Sequence, residues 1–139
     1  MGAGDQSAEA EQQALLNDSA YREGIDLFNR GQFWHAHEAW EARWLSSSGQ
    51  PRQFIQGLIQ VAAALVHWQR GNQRGLRLNW QKAQVKFTAV PSIYAGLDLG
   101  ALATWMDAML AQAVTSPPTL MLAPDERRSS RFASSDEAM

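Results

Sequence analysis

The chain of 139 residues is 45% apolar, long enough for one domain with a buried core and too short to argue for two. Its 12 basic and 14 acidic residues leave a net charge of -2, so no strong field recruits nucleic acid or an anionic membrane surface. The absence of cysteine excludes disulfides and thiolate metal sites, which leaves His, Asp, Glu and amide oxygens as the metal donors.

Met1 to Ser7 carries neither the basic stretch nor the apolar stretch of a secretory signal, so a cytoplasmic location is expected. Residues 1–16 read as a flexible N-terminal segment, 17–115 as a helical domain and 116–139 as a disordered C-terminal tail. From about Ala8 to Asn29 the residues favour helix. Leu16, Tyr21, Gly24, Ile25, Leu27 and Phe28 follow a helical apolar period, which predicts one amphipathic helix that frays before Asn17. Gly31 stands where a left-handed residue would end it, and a second helix is predicted from Phe33 to about Leu45.

Ser46 to Gln50 is a run of turn residues, and Pro51 suits the first turn of a third helix reaching about Arg70. That helix is apolar nearly all round, the signature of a central element surrounded by others. Its most apolar run, Leu58 to Val66, is interrupted by Gln60 and falls far short of the roughly 20 residues that cross a bilayer. Gln56, Gln60 and His67 share one stripe of it. Gly71 and Asn72 close it, a fourth helix is predicted from Gln73 to Thr88, and Pro91 stops that one. Val90 to Gly96 reads as a connector. Asp98 can then cap a fifth helix running to about Val114.

A shift of 40 residues lays Gly24–Trp40 over Ala64–Trp80, matching Arg30-Gly31 with Arg70-Gly71, Phe28 with Trp68 and Trp40 with Trp80. The expected fold is therefore all-α: a compact bundle of about five helices, built as two helical hairpins with tetratricopeptide-like stacking plus a C-terminal capping helix.

The densest chemistry lies in Phe33 to Trp44, where His37, Glu41 and Trp44 at i, i+4 and i+7 share one helical face. His35 points about 160° away from His37 and belongs to a flank. His37 and Glu41 could supply two ligands to a divalent metal, with Glu38, Gln60 or His67 as further donors. The spacing matches neither the His-Glu-x-x-His of zinc proteases nor the Glu-x-x-His of di-iron bundles, so it assigns no reaction. A pocket between the second and third helices, built by His37, Glu38, Glu41, Trp44, Gln56, Gln60 and His67, would take a divalent metal or a small polar ligand. The alternative is a buried network in which every polar group is paired for structural reasons, within a non-catalytic helical-hairpin module that binds a protein partner. Nucleic acid and membrane are not expected partners, whereas a small ligand, a protein or a second copy of the chain all fit the sequence.

His37-Glu38-Ala39-Trp40-Glu41-Ala42-Arg43-Trp44, followed by Gln56-Gly57-Leu58-Ile59-Gln60 and by His67-Trp68-Gln69-Arg70-Gly71-Asn72, resembles domain-of-unknown-function family 309 of bacteria and archaea. The resemblance covers roughly Tyr21 to Leu110. It implies a small all-helical protein whose hallmark is His, three residues, Glu, two residues, then Trp or Tyr, here His37, Glu41 and Trp44. It further implies metal binding at that motif as an expectation, without an assigned reaction.

Overall fold

The computed structural model describes residues 2–123, with side chains from residue 6 onward. Its elements in order are α1 (Gly2–Leu16), α2 (Ser19–Asn29), α3 (Phe33–Leu45), α4 (Gly49–Gln69), α5 (Gln73–Phe87), the strands β1 (Ile93–Tyr94) and β2 (Leu97–Asp98), and α6 (Leu99–Leu110). The protein is all-α apart from that short strand pair. Two helical hairpins, α2–α3 and α4–α5, are joined through extensive packing of α3 on α4, and α6 lies against α5.

Both hairpins turn in the same way, for the same stereochemical reason. Gly31 and Gly71 sit at φ of +77° and +73°, a region that a Cβ disfavours. In the first turn Gly31 N donates to Phe28 O at 2.9 Å and Gln32 N to Leu27 O at 2.9 Å. In the second, Gly71 N donates to Trp68 O at 3.0 Å and Asn72 N to His67 O at 2.8 Å. These are paired Schellman closures, which satisfy the last carbonyls of each helix before the chain reverses. Asn72 then caps α5 by accepting from Gly75 N at 2.9 Å. The repeat visible in the sequence is therefore a repeat of structure, with Trp40 and Trp80 both buried at equivalent places.

The first hairpin is closed by Trp40. Its indole N–H donates to Tyr21 O at 3.1 Å, and its ring occupies the space that a side chain at Gly24 would need. Asp18 caps α2 by accepting from Tyr21 N at 2.8 Å, and its other oxygen lies 3.7 Å from Arg43 Nε at the far end of α3. Central α4 buries Phe54, Ile55, Leu58, Val61, Ala62 and Leu65, in keeping with its all-round apolar sequence.

Three features depart from the sequence reading. The single helix expected from about Ala8 to Asn29 is two, because the chain breaks at Asn17 and restarts on the Asp18 cap. The part expected to be flexible is helical from Gly2 to Leu16, with Leu15 fully buried. The connector 90–96 contains one arm of a hairpin that pairs Ile93 with Asp98 and Tyr94 with Leu97. Its turn residues Ala95 and Gly96 have φ of +47° and +80°, the two positive values of a type I′ turn. Holding an alanine there costs about 1 kcal/mol or more. That strain is offset by two hydrogen bonds: Ala95 N donates to Gln12 Oε1 at 2.9 Å, and Ala95 O accepts from the Tyr21 hydroxyl at 2.7 Å.

The third departure is at the C-terminus, where the expected tail begins at 116 yet residues 116–123 pack on the domain. Asn29 donates to Leu120 O at 2.8 Å and accepts from Leu120 N at 2.7 Å, Trp105 Nε1 donates to Ser116 O at 2.9 Å, and Ala123 N donates to Gly96 O at 2.7 Å. The rest of the expected tail, 124–139, lies outside the described residues.

Two pairs of substitutions test these contacts in urea denaturation. Gly24→Ala drives a methyl into the Trp40 ring and is expected to cost about 2–3 kcal/mol by overpacking. Gly31→Ala, with open space around it, is expected to lose only about 1 kcal/mol to backbone strain. Equal losses would refute the close approach of α2 and α3. Tyr21→Phe orphans the buried Ala95 carbonyl and should cost about 1–2 kcal/mol, whereas the Tyr94 hydroxyl is buried without a partner, so Tyr94→Phe should be neutral or stabilising. Burial, and secondarily the Glu11 carboxylate, pushes the Tyr94 phenol up to about 12, and burial raises Tyr21 likewise. Because the folded state holds protons that the unfolded chain releases from about pH 10, stability is retained below pH 10 and falls as the pH rises from 10 towards 12. The fall should be shallower in Tyr94→Phe.

Candidate functional site

The His-x-x-x-Glu-x-x-Trp run lies on α3 where that helix meets α4. His37 is three-quarters or more covered, with 17% of its side chain exposed, and Trp34 one turn back stacks on its ring at 5.1 Å between centroids and 12° between planes. Its Nδ1 lies 3.1 Å from Glu41 Oε1, yet the carboxylate is off the line of the ring N–H, so the contact is ionic proximity and not an aligned hydrogen bond. Glu41 keeps 54% of its side chain in solvent.

One further turn along, Trp44 leans towards α4. Arg52, from the first turn of α4, lays its guanidinium over the Trp44 ring at 3.7 Å from the centroid. Its Nη1 donates to Ser47 O at 3.1 Å and Trp44 O at 3.4 Å, which closes the end of α3 onto the start of α4. Between these helices lies a cavity of about 310 Å³ walled by Glu41, Trp44, Leu45, Gln56 and Ile59.

The structure thus brings together three of the residues expected at the pocket, Glu41, Trp44 and Gln56. His37 borders them through Glu41. Gln60 follows one turn after Gln56 on α4 and keeps its side-chain oxygen buried without a hydrogen-bond partner. Two of the expected residues are elsewhere. Glu38 turns to the other flank, 3.3 Å from His35 Nδ1, and lines an open groove with Ala20, Glu23 and Leu27 of α2. His67 is three turns beyond Gln56 along α4, where its ring fills the space above Gly75 of α5 and its Nδ1 lies 3.1 Å from the Asn72 amide nitrogen.

Sequence reasoning missed Leu45, Ile59 and Arg52. Ile59 could have been found, since it follows Gln56 at i+3 and shares its face of α4. The approach of Arg52 to Trp44 depends on the turn at 46–48 and has no signal in spacing. A larger apolar recess, about 560 Å³, lies under residues 116–121 against Leu102 and Trp105 of α6, remote from the motif.

Two properties of the α3–α4 arrangement bear on its chemistry. Among the described residues no hydrogen bond joins His37 or Glu41 to Gln56, Gln60 or His67, so the polar groups of the two helices do not satisfy one another. Nor does any group of three or more His, Asp or Glu side chains among the described residues come close enough to hold a metal ion. His37 and Glu41 alone are two donors, short of the three or four of a protein metal site.

Helical hairpins closed by Schellman glycines, with an acidic and aromatic cavity where the hairpins meet, define a small all-α protein. Its motif region, residues 21–78, matches the family described as Domain of unknown function (DUF309), and the chain belongs to that family. A solved structure, a conserved hypothetical protein from Thermus thermophilus, is 33% identical and superposes with a TM-score of 0.57 over 66% of this chain and 95% of that one. An uncharacterized protein of Aquifex aeolicus is 28% identical over 116 residues, covering 82% of this chain and 32% of the relative, so the chain spans about a third of that protein's length. No described helix is long and apolar enough to cross a membrane.

The half-exposed Glu41 and the off-axis His37 contact lead to a stability prediction. Glu41→Gln and His37→Gln should each shift unfolding free energy by no more than about 1 kcal/mol, because the pair lacks an aligned hydrogen bond and one partner is half in solvent. Losses of 2–3 kcal/mol in both, measured in urea, would instead identify a structural network across the helices.

Proposed function

We propose that the α3–α4 cavity is a binding site for a small polar ligand, with Glu41, Trp44 and Gln56 as its contact residues and His37 adjoining Glu41. The observation that supports this reading is hydrogen-bonding capacity left unused beside a cavity: an acidic group half in solvent, an amide at the wall, and the unpaired Gln60 oxygen one turn along. Buried polar atoms are ordinarily satisfied, and a group that is not calls for a partner from outside the chain. The cavity is at the small end of ligand sites, which run from about 300 to 1,000 Å³. A divalent cation at His37 and Glu41 would need its remaining ligands from water or from that bound molecule.

An indole and an amide reporter sit in the cavity wall, so ¹H–¹⁵N spectra of the full chain test the reading directly. A fragment set containing neutral, cationic and anionic members should include at least one that moves the Trp44 indole and Gln56 side-chain cross-peaks. The effect should vanish in Leu45→Trp, where an exposed wall residue is enlarged to fill the cavity. No displacement of either cross-peak in the wild type by any fragment would refute a ligand site.

A second reading rests on Trp34 and Leu45, which are 55% and 74% exposed on α3. Exposed apolar groups at both ends of one helix suit a protein-binding face. Under that reading Trp34→Ala with Leu45→Asp would abolish capture of a specific partner by the tagged full chain; identical recovery with wild type and the double variant would dismiss it.

A further inference from the structure

The chemical class of the ligand follows from what the cavity offers and what it lacks, granted that the cavity binds a ligand at all. Of its five lining residues, Glu41 is the one that carries charge, and it is an acceptor only. The guanidinium of Arg52, stacked on the lining residue Trp44, is already engaged with that ring and with two backbone carbonyls. An anionic ligand would therefore meet a carboxylate with no free cation among the lining residues to offset it. The rest of the lining, apart from Gln56, is aliphatic and aromatic, built by Ile59, Leu45 and Trp44. Gln56 provides an amide oxygen, and Gln60, on the same stripe, holds a second oxygen with no donor of its own.

A single negative charge with no cation beside it among the lining residues, an amide oxygen able to accept, and an otherwise apolar lining are complementary to a short alkyl or aryl chain that ends in a hydrogen-bond-donating cation. We infer that the α3–α4 cavity recognises a small organic ammonium or guanidinium compound, with the cationic head on the Glu41 carboxylate and the Gln56 amide oxygen and the apolar body against Ile59, Leu45 and Trp44. Glu41 is the specificity-determining group. His37 Nδ1 lies 3.1 Å from one carboxylate oxygen, Oε1, and the second oxygen is left for the ligand. A charge-assisted hydrogen bond from an ammonium to that oxygen is stronger than a neutral one, which favours amines over alcohols of equal size.

Matched probes separate this assignment from the broader reading of a ligand site. The full chain is titrated with n-butylammonium, n-butanol and butyrate, following the Trp44 indole and Gln56 amide cross-peaks. Butylammonium should bind at least about tenfold more tightly than butanol or butyrate, should weaken about tenfold or more in Glu41→Gln, and should weaken in 0.5 M salt as a charge contact does. Unchanged unfolding of Glu41→Gln in urea establishes that the loss is not one of folding, and the salt dependence of the wild type carries the same information without a substitution. Equal binding of butanol or butyrate, or butylammonium binding that ignores Glu41→Gln, overturns the cationic assignment while leaving a ligand site in place. No movement with any of the three overturns the assignment, and the fragment screen then decides the site itself.

Discussion

Tyr21 joins three parts of the fold through a single residue. Its backbone carbonyl takes the Trp40 indole N–H across the α2–α3 interface, its amide is held by the Asp18 cap, and its hydroxyl reaches 74 positions along the chain to the Ala95 carbonyl. Both long-range bonds are fully buried, where an orphaned partner would be penalised most heavily. The Trp40 bond requires Gly24 beneath it, and the Ala95 bond helps hold a non-glycine residue in a left-handed turn. The position of α3, and of every side chain on its outer face, follows from this arrangement.

What that position leaves open is the seam with α4. Trp40 faces inward and Phe33 and Ala36 are fully covered, so the remaining turns of α3 place His37, Glu41, Trp44 and Leu45 along the edge facing Gln56 and Ile59. The seam is not sealed by polar pairing. Arg52 closes one end of it against Trp44, and Trp34 covers His37 at the other. Between the two ends is space with an acidic rim and an apolar floor. A helical pair whose only purpose was packing would bury apolar side chains there, as α4 and α5 do along Gly57, Phe87 and Trp80.

Family membership places this arrangement in a wider setting. The matched residues begin at Tyr21 and end within α5, so they include the Tyr21–Trp40 bond, the motif and both Schellman turns, while Asp18 and Ala95 lie outside them. The Thermus structure is matched over nearly its whole length by two thirds of this chain. In the Aquifex relative the matched region is a minor part of a longer protein.

Local physics made much of this legible in the amino-acid order alone. Helical periodicity located α3, α4 and α5 and marked α4 as central, Gly31 and Gly71 marked the turns, Asp98 marked a cap, and the 40-residue offset marked the paired hairpins, because each depends on residues close in sequence. Glu41, Trp44 and Gln56 could be named as neighbours because an antiparallel hairpin connection leaves few ways for the facing stripes of two helices to meet. Distance along the helix was beyond that reasoning: His67 shares its stripe with Gln56 but sits three turns away against Gly75, and Glu38 finds His35 before it can reach α4. The β-turn at Ala95, the seating of 116–123 on Asn29 and the Arg52–Trp44 contact were equally invisible. Each joins residues far apart in the chain or depends on a loop geometry that composition does not encode, so only tertiary packing could decide them.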